Sequence, residues 1–149
     1  MKSTIYENTE NHDRPGRAWR VRADLIASAE TPAHLILRID ATDWDGIERG
    51  VGYVVARDEF ADLRSALLAP EPEGRDWQGM LPDAAPRAEL RHASDGIRSD
   101  LLARQCLDPD RPGKILGIGE TPEDAPERRQ YAAICIPYAA AARIAALLA

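Results

Sequence analysis

Residues 51–69 constrain this chain more than any other stretch. Val51, Tyr53 and Val55 alternate with Gly52, Val54 and Ala56, the period of two expected of a half-buried strand. Asp58 and Glu59 follow and place negative charge where a first helical turn binds it well. Phe60, Leu63 and Leu67 then recur at helical spacing, with Asp62 and Arg64 between them, so one stripe of the helix packs and the other face meets water. The stretch is a strand that runs straight into a helix. The same unit returns at residues 131–149, where a strand, Pro137 and an alanine-rich helix end the sequence.

A shift of 80 residues lays residues 1–69 on 81–149 without a gap and gives ten identical pairs, His12/His92, Gly16/Gly96 and Leu67/Leu147 among them. Residue classes also match, as in Leu35-Ile36 on Ile115-Leu116 and Asp40 on Glu120. The shift predicts an internal duplication. The alternative is two unrelated strand–helix units. Between the halves, residues 70–80 read as a linker of proline, glycine and acid without periodicity.

Within the first half, residues 17–28 alternate Trp19, Val21, Ala23 and Leu25 with Arg20, Arg22 and Asp24, and residues 34–40 put Leu35, Leu37 and Ile39 inward. A short strand is expected at residues 4–6. In the second half, strands are expected at residues 87–92, 114–119 and 131–136. Residues 97–107 have a helical composition, but the shift lays them on the strand at 17–27, and the expectation is a strand. The predicted fold is α+β: two β-β-β-β-α halves, 1–69 and 81–149, with antiparallel sheets in a single compact domain.

The strand at residues 35–40, its polar loop, and the run Gly50 through Glu59-Phe60 to Leu63-Arg64 resemble the single-stranded-DNA-binding transcriptional coactivator family. Two such units in one chain are similar to the Pur-repeat and Whirly arrangements. The resemblance implies two four-stranded sheets and two helices in one intertwined body, with single strands held on the sheet faces.

Charge bears on that expectation. The chain of 149 residues carries a formal net charge of −6, which argues against a general basic footprint but leaves room for a local one. Arg20, Arg22, Arg38 and Arg57 are expected on one outward face, with Tyr53 stacking on bases. The competing reading is a solvated face with cross-strand pairs such as Arg22 with Asp40. A second function is binding of a basic protein by two acidic loops, residues 40–48 and 120–127, through Asp40, Asp43, Asp45, Glu48, Glu120, Glu123 and Asp124.

Other motifs fail on spacing. Asp43-x-Asp45-Gly46 would need side-chain ligands at Ala41 and Gly52 to be a calcium loop. Gly117-Ile118-Gly119 lacks a third glycine and a helix start, and Gly113-Lys114 is followed by Ile115 rather than Ser or Thr. His12, His34, His92, Cys106 and Cys135 show no metal-ligand spacing. The reading is a non-enzymatic, cytoplasmic binding protein with no metal and no cofactor.

Overall fold

The computed structural model describes residues 2–14, 17–31, 34–42 and 47–149, and the side chains of residues 4–7, 35–42 and 47–149. The chain runs β1 (Lys2–Arg14), β2 (Arg17–Thr31), β3 (His34–Thr42), β4 (Glu48–Ala56) and α1 (Phe60–Leu68), then β5 (Ala88–Ser94), β6 (Ile97–Gln105), β7 (Lys114–Pro122), β8 (Gln130–Ile136) and α2 (Tyr138–Leu147). The strands form two antiparallel four-stranded sheets, β1-β2-β3-β4 and β5-β6-β7-β8. The fold is therefore α+β with antiparallel sheets and two helices. Among the described residues, no helix is long and apolar enough to cross a membrane.

β1 is longer than the expected strand at residues 4–6, because a polar run without alternation carries no period-two signal, although its backbone pairs with β2 along most of its length. Residues 97–105 are a strand despite their helical composition. Two flanking ladders, to β5 and to β7, override a weak intrinsic preference.

Both sheets and both helices contribute to one hydrophobic cluster. The helical stripe forms as expected: Phe60, Leu63, Ala66 and Leu67 of α1 are buried. The partners of that stripe lie in the other half. α1 packs on β5, β6 and α2, while α2 touches β1, where Arg143 Nη1 donates to the Ile5 carbonyl at 2.9 Å. Each helix thus crosses to the other half's sheet.

A buried polar chain ties the halves at their seam. Lys114, 1% exposed, donates from Nζ to the Ala69 carbonyl just beyond α1 and to Gln105 Oε1, both at 2.9 Å. Gln105 Nε2 donates to the Gly113 carbonyl at 3.0 Å and to the Tyr138 hydroxyl at 2.8 Å, and that hydroxyl reaches Glu71 Oε1 at 3.0 Å. A cation beside the last carbonyls of a helix is favourably placed. Burial nevertheless pushes the Lys114 amine below its ordinary value.

The gapless shift of 80 does not hold in the sheets. It lays Leu35, Leu37 and Ile39 on Ile115, Gly117 and Gly119, yet β7 sends Leu116 and Ile118 into the core, with Lys114 beside them. Inward residues of β3 and β7 lie 79 apart, as Leu37 and Leu116, and those of β4 and β8 lie 81 apart, as Tyr53 and Ile134. The helices keep the latter spacing, in Leu63 with Ile144 and Leu67 with Leu148. Side chains on a strand alternate with a period of two, so a slip of one residue exchanges the faces. The longer β7–β8 connection absorbs the difference.

Candidate nucleic-acid interface

Of the four arginines expected on one face, Arg38 lies on β3 and Arg57 lies beyond the sheet. Arg38 is exposed on β3, and its Nε donates to Asp40 Oδ1 at 2.6 Å. Its guanidinium lies across Gly50 of β4, where a Cβ would meet it. Asp40, Thr42, Glu48, Arg49 and Gly50 complete an open concavity of about 500 Å3 with Arg38. Among the described residues, two acids and two bases line it. The register sets Arg22 opposite Thr42, not Asp40, and Arg20 opposite Asn11; the side chains of Arg20 and Arg22 lie outside the described ones. Asp43 and Asp45 lie outside the described residues.

Arg57 leaves the strand. β4 ends at Ala56, whose N–H donates to Glu59 Oε1 at 3.0 Å, and residues Arg57–Glu59 form a 3-10 turn. The Arg57 guanidinium sits 5.7 Å from the Phe60 ring centroid, on the way into α1. Tyr53 faces inward and is 1% exposed, so the expectation that it stacks on bases is corrected. It alternates with Gly52 and Val54 and shares its side with Val51 and Val55, which the core takes. Its ring lies 4.6 Å from that of His92 and its hydroxyl donates to Glu59 Oε2 at 2.7 Å. Burial first, then the Glu59 bond and charge, push the phenol above its ordinary value.

The acidic residues differ in what they do. Asp40 pairs with Arg38, and Glu120 accepts the Gly52 N–H at 2.9 Å, satisfying a donor on the edge strand β4. Glu48, Glu123 and Asp124 are exposed. The Glu123 N–H donates to the Gly96 carbonyl at 2.9 Å, which fixes the β7–β8 connection to the β5–β6 turn.

The second sheet carries a basic face that the sequence reading missed. Asp95 and Gly96, with φ of 53° and 75°, make the two-residue turn between β5 and β6. That turn sets Ala93 opposite Arg98 and Arg91 opposite Asp100, and the next ladder sets Arg98 opposite Thr121 and Asp100 opposite Gly119. Arg129 reaches over Gly119 and grips Asp100 with two bonds, Nη1 to Oδ1 at 2.7 Å and Nη2 to Oδ2 at 2.9 Å, while Nη1 also donates to Thr121 Oγ1 at 2.9 Å. A side chain at Gly119 would displace this guanidinium; one at Gly117 would meet the Tyr131 hydroxyl.

The two glycines make a flat strip on which Arg129 and Tyr131 lie. The Arg129 guanidinium is 5.5 Å from the Tyr131 ring centroid, and that ring is 46% exposed. Arg91, Arg98, Ser99 and Thr121 join Asp100 and Arg129 around a concavity of about 510 Å3. The Arg129 hydrogen bond, with the charges of Arg129, Arg91 and Arg98, holds Asp100 below its ordinary value against the cost of burial. His92 borders the same space, and its Nε2 is buried with no hydrogen-bond partner among the described residues.

Chemically, the arrangement offers guanidinium donors to an anion and an aromatic face beside them. The signal in the sequence was the Asp95-Gly96 dipeptide. Counting outward from it gives the register, and with it the shared side of Arg91, Arg98 and Asp100. Among the described residues there is no group of three or more His, Cys, Asp or Glu placed to hold a metal ion. No protein-family model matches the sequence, and a search of curated proteins returns no match.

Proposed function

We propose that this is a non-enzymatic binding protein that holds single-stranded nucleic acid on the outward face of β5–β8. The observation that carries the reading is Arg129, gripped by Asp100 and laid over Gly119 beside the exposed Tyr131 ring, with Arg91 and Arg98 on the same side. Arginine pairs with phosphate and stacks on bases, and a tyrosine face accepts any base. The resemblance to the single-strand-binding coactivators and to the Pur-repeat and Whirly arrangement points the same way. It also supports a duplication, as does the crossing of each helix onto the opposite sheet. A cytoplasmic setting is part of the proposal, supported by two free thiols, Cys106 and Cys135.

The test is fluorescence anisotropy with a short labelled single-stranded oligonucleotide at about 50 and 200 mM salt. The expected result is binding at the lower salt that weakens at the higher, and that falls in Arg98→Ala with Arg129→Ala. No binding by the wild type at high-micromolar protein and low salt overturns the reading. That outcome promotes the second one, a basic protein partner at the acidic connections, where Glu48, Glu123 and Asp124 are exposed.

A further inference from the structure

In the order β5-β6-β7-β8 the outer strands are β5 and β8. β8 packs on β3 and β4 of the first half. β5, beyond its ladder with β6, packs mainly on α1 and meets the Tyr53 ring through His92. Both contacts lie on the inner side of β5, where Ala88 and Leu90 are buried, so among the described residues its outer edge is unpaired. Every second residue of such an edge turns its N–H and C=O away from the sheet.

An edge guarded against pairing commonly carries a proline, a bulge or an inward-pointing charge. β5 has none of these. Its seven residues pair with β6 in unbroken register, contain no proline and turn no Asp, Glu, Lys or Arg inward. Its outward charges are Glu89 and Arg91, both exposed and of opposite sign. α1 stands back from the edge, where Asp62 and Ser65 border an open groove of about 340 Å3 along residues 86–90.

We propose that a second copy of this chain adds to the free edge of β5, antiparallel and about a twofold axis at Leu90, joining the two β5–β8 sheets into one. The inference is independent of the nucleic-acid reading. Charge selects the register. Opposed residues in an antiparallel pair point to the same side, so a pairing that keeps both inner faces together is centred on a single residue of β5. Centred on Glu89, it sets Glu89 against Glu89 and Arg87 against Arg91. Centred on Arg91, it sets Arg91 against Arg91. Centred on Leu90, it sets Glu89 of one copy against Arg91 of the other, and the symmetry repeats the pair. On the inner side that register places Leu90 against Leu90 and Ala88 against His92. The main-chain bonds of the new ladder supply affinity, and the charge pairs fix the register. Arg91 also lines the concavity with Arg98 and Arg129, so the pairing brings the basic concavities of two copies onto one outward face.

The experiment measures molar mass by sedimentation velocity on the full chain, from low- to high-micromolar protein. The expected wild type passes from one chain to two as concentration rises. Glu89→Arg and Arg91→Glu each set like charges against one another at both symmetric positions, and each is expected to weaken the dimer by about tenfold or more. The double variant Glu89→Arg with Arg91→Glu restores the opposition and is expected to recover the dimer. Amide hydrogen exchange of the wild type is expected to slow in residues 88–92 as the dimer forms. A wild type that stays a single chain throughout overturns the proposal and leaves the edge to a strand of another protein. A dimer that ignores both single reversals, that the double variant does not recover, or that protects a different segment overturns it too. Hydrogen exchange on the wild type decides it if a variant fails to fold.

Discussion

The outward faces of the two sheets use the same device and reach different ends. Each lays an arginine over a glycine and holds it with an aspartate. In β1–β4 the pair is Arg38 with Asp40, two residues apart on one strand, over Gly50, and Glu48 and Arg49 balance the charge nearby. In β5–β8 the pair is Arg129 with Asp100, which spans from one side of β7 to the other over Gly119, and Arg91 and Arg98 add charge of one sign. Among the described residues, the first arrangement is neutral and local. The second is cross-strand and leaves a positive balance. The comparison teaches that register decides where charge accumulates, whatever the alternation within any one strand suggests.

Ways to break the comparison start with the core that both sheets share. Leu63→Ala and Ile144→Ala each remove a fully buried side chain at equivalent points of α1 and α2, and each should cost about 2–5 kcal/mol in urea unfolding. Both variants should melt in one transition. Two separated transitions would show that the halves are energetically independent.

A slightly smaller effect is expected at the seam. Lys114→Ala should cost about 3 kcal/mol, since it opens a cavity and strands the Gln105 and Ala69 acceptors. Lys114→Met, which keeps the volume, should cost less. The sign of the pH effect follows from the lowered amine. Above its folded value the native state binds fewer protons than the unfolded chain, so the wild type should gain stability as pH rises toward the ordinary lysine value of 10.5. Chemical unfolding across that window should show the gain, and Lys114→Met should abolish it.

The functional side of the comparison is sharpened by paired substitutions. Arg98→Ala with Arg129→Ala should lower the salt slope of oligonucleotide binding by about 1.4, two phosphate contacts at about 0.7 each. Arg38→Ala should leave binding unchanged. Equal losses from both would erase the distinction between the faces.

The smallest expected effects are on stability at the two surface pairs. Asp40→Asn and Asp100→Asn should each change stability at neutral pH by less than about 1 kcal/mol, because exposed pairs are screened. The Asp100 contribution is present above the unfolded carboxyl value of 3.8 and is lost as pH falls through the lower folded value. Acid unfolding curves of wild type and Asp100→Asn should therefore converge below that range.

Much of the architecture was legible because it rests on periodicity. The strand-to-helix units, the stripe of Phe60, Leu63 and Leu67, and the inward set Leu35, Leu37 and Ile39 follow from local spacing. The inward turn of Tyr53 was legible too, because it shares its parity with Val51 and Val55 and alternates with Gly52 and Val54. What spacing does not encode is the slip between halves. It was hidden in the unequal β3–β4 and β7–β8 connections. The burial of Lys114 was hidden as well, because its acceptors come from residues far apart in the chain.

The crossing of the helices bears on how the molecule is made. During synthesis the first half emerges with α1 complete but with β5, β6 and α2 still to come, and those elements are what α1 packs on. An emerging residue 1–80 segment therefore carries an apolar stripe whose cover is complete only when α2, residues 138–147, has been made. Folding waits for contacts that are distant along the chain, which slows it and lengthens the exposure of a surface prone to aggregation. A fragment of residues 1–80 should accordingly bind a hydrophobic dye and fail to melt cooperatively, while the full chain does the reverse.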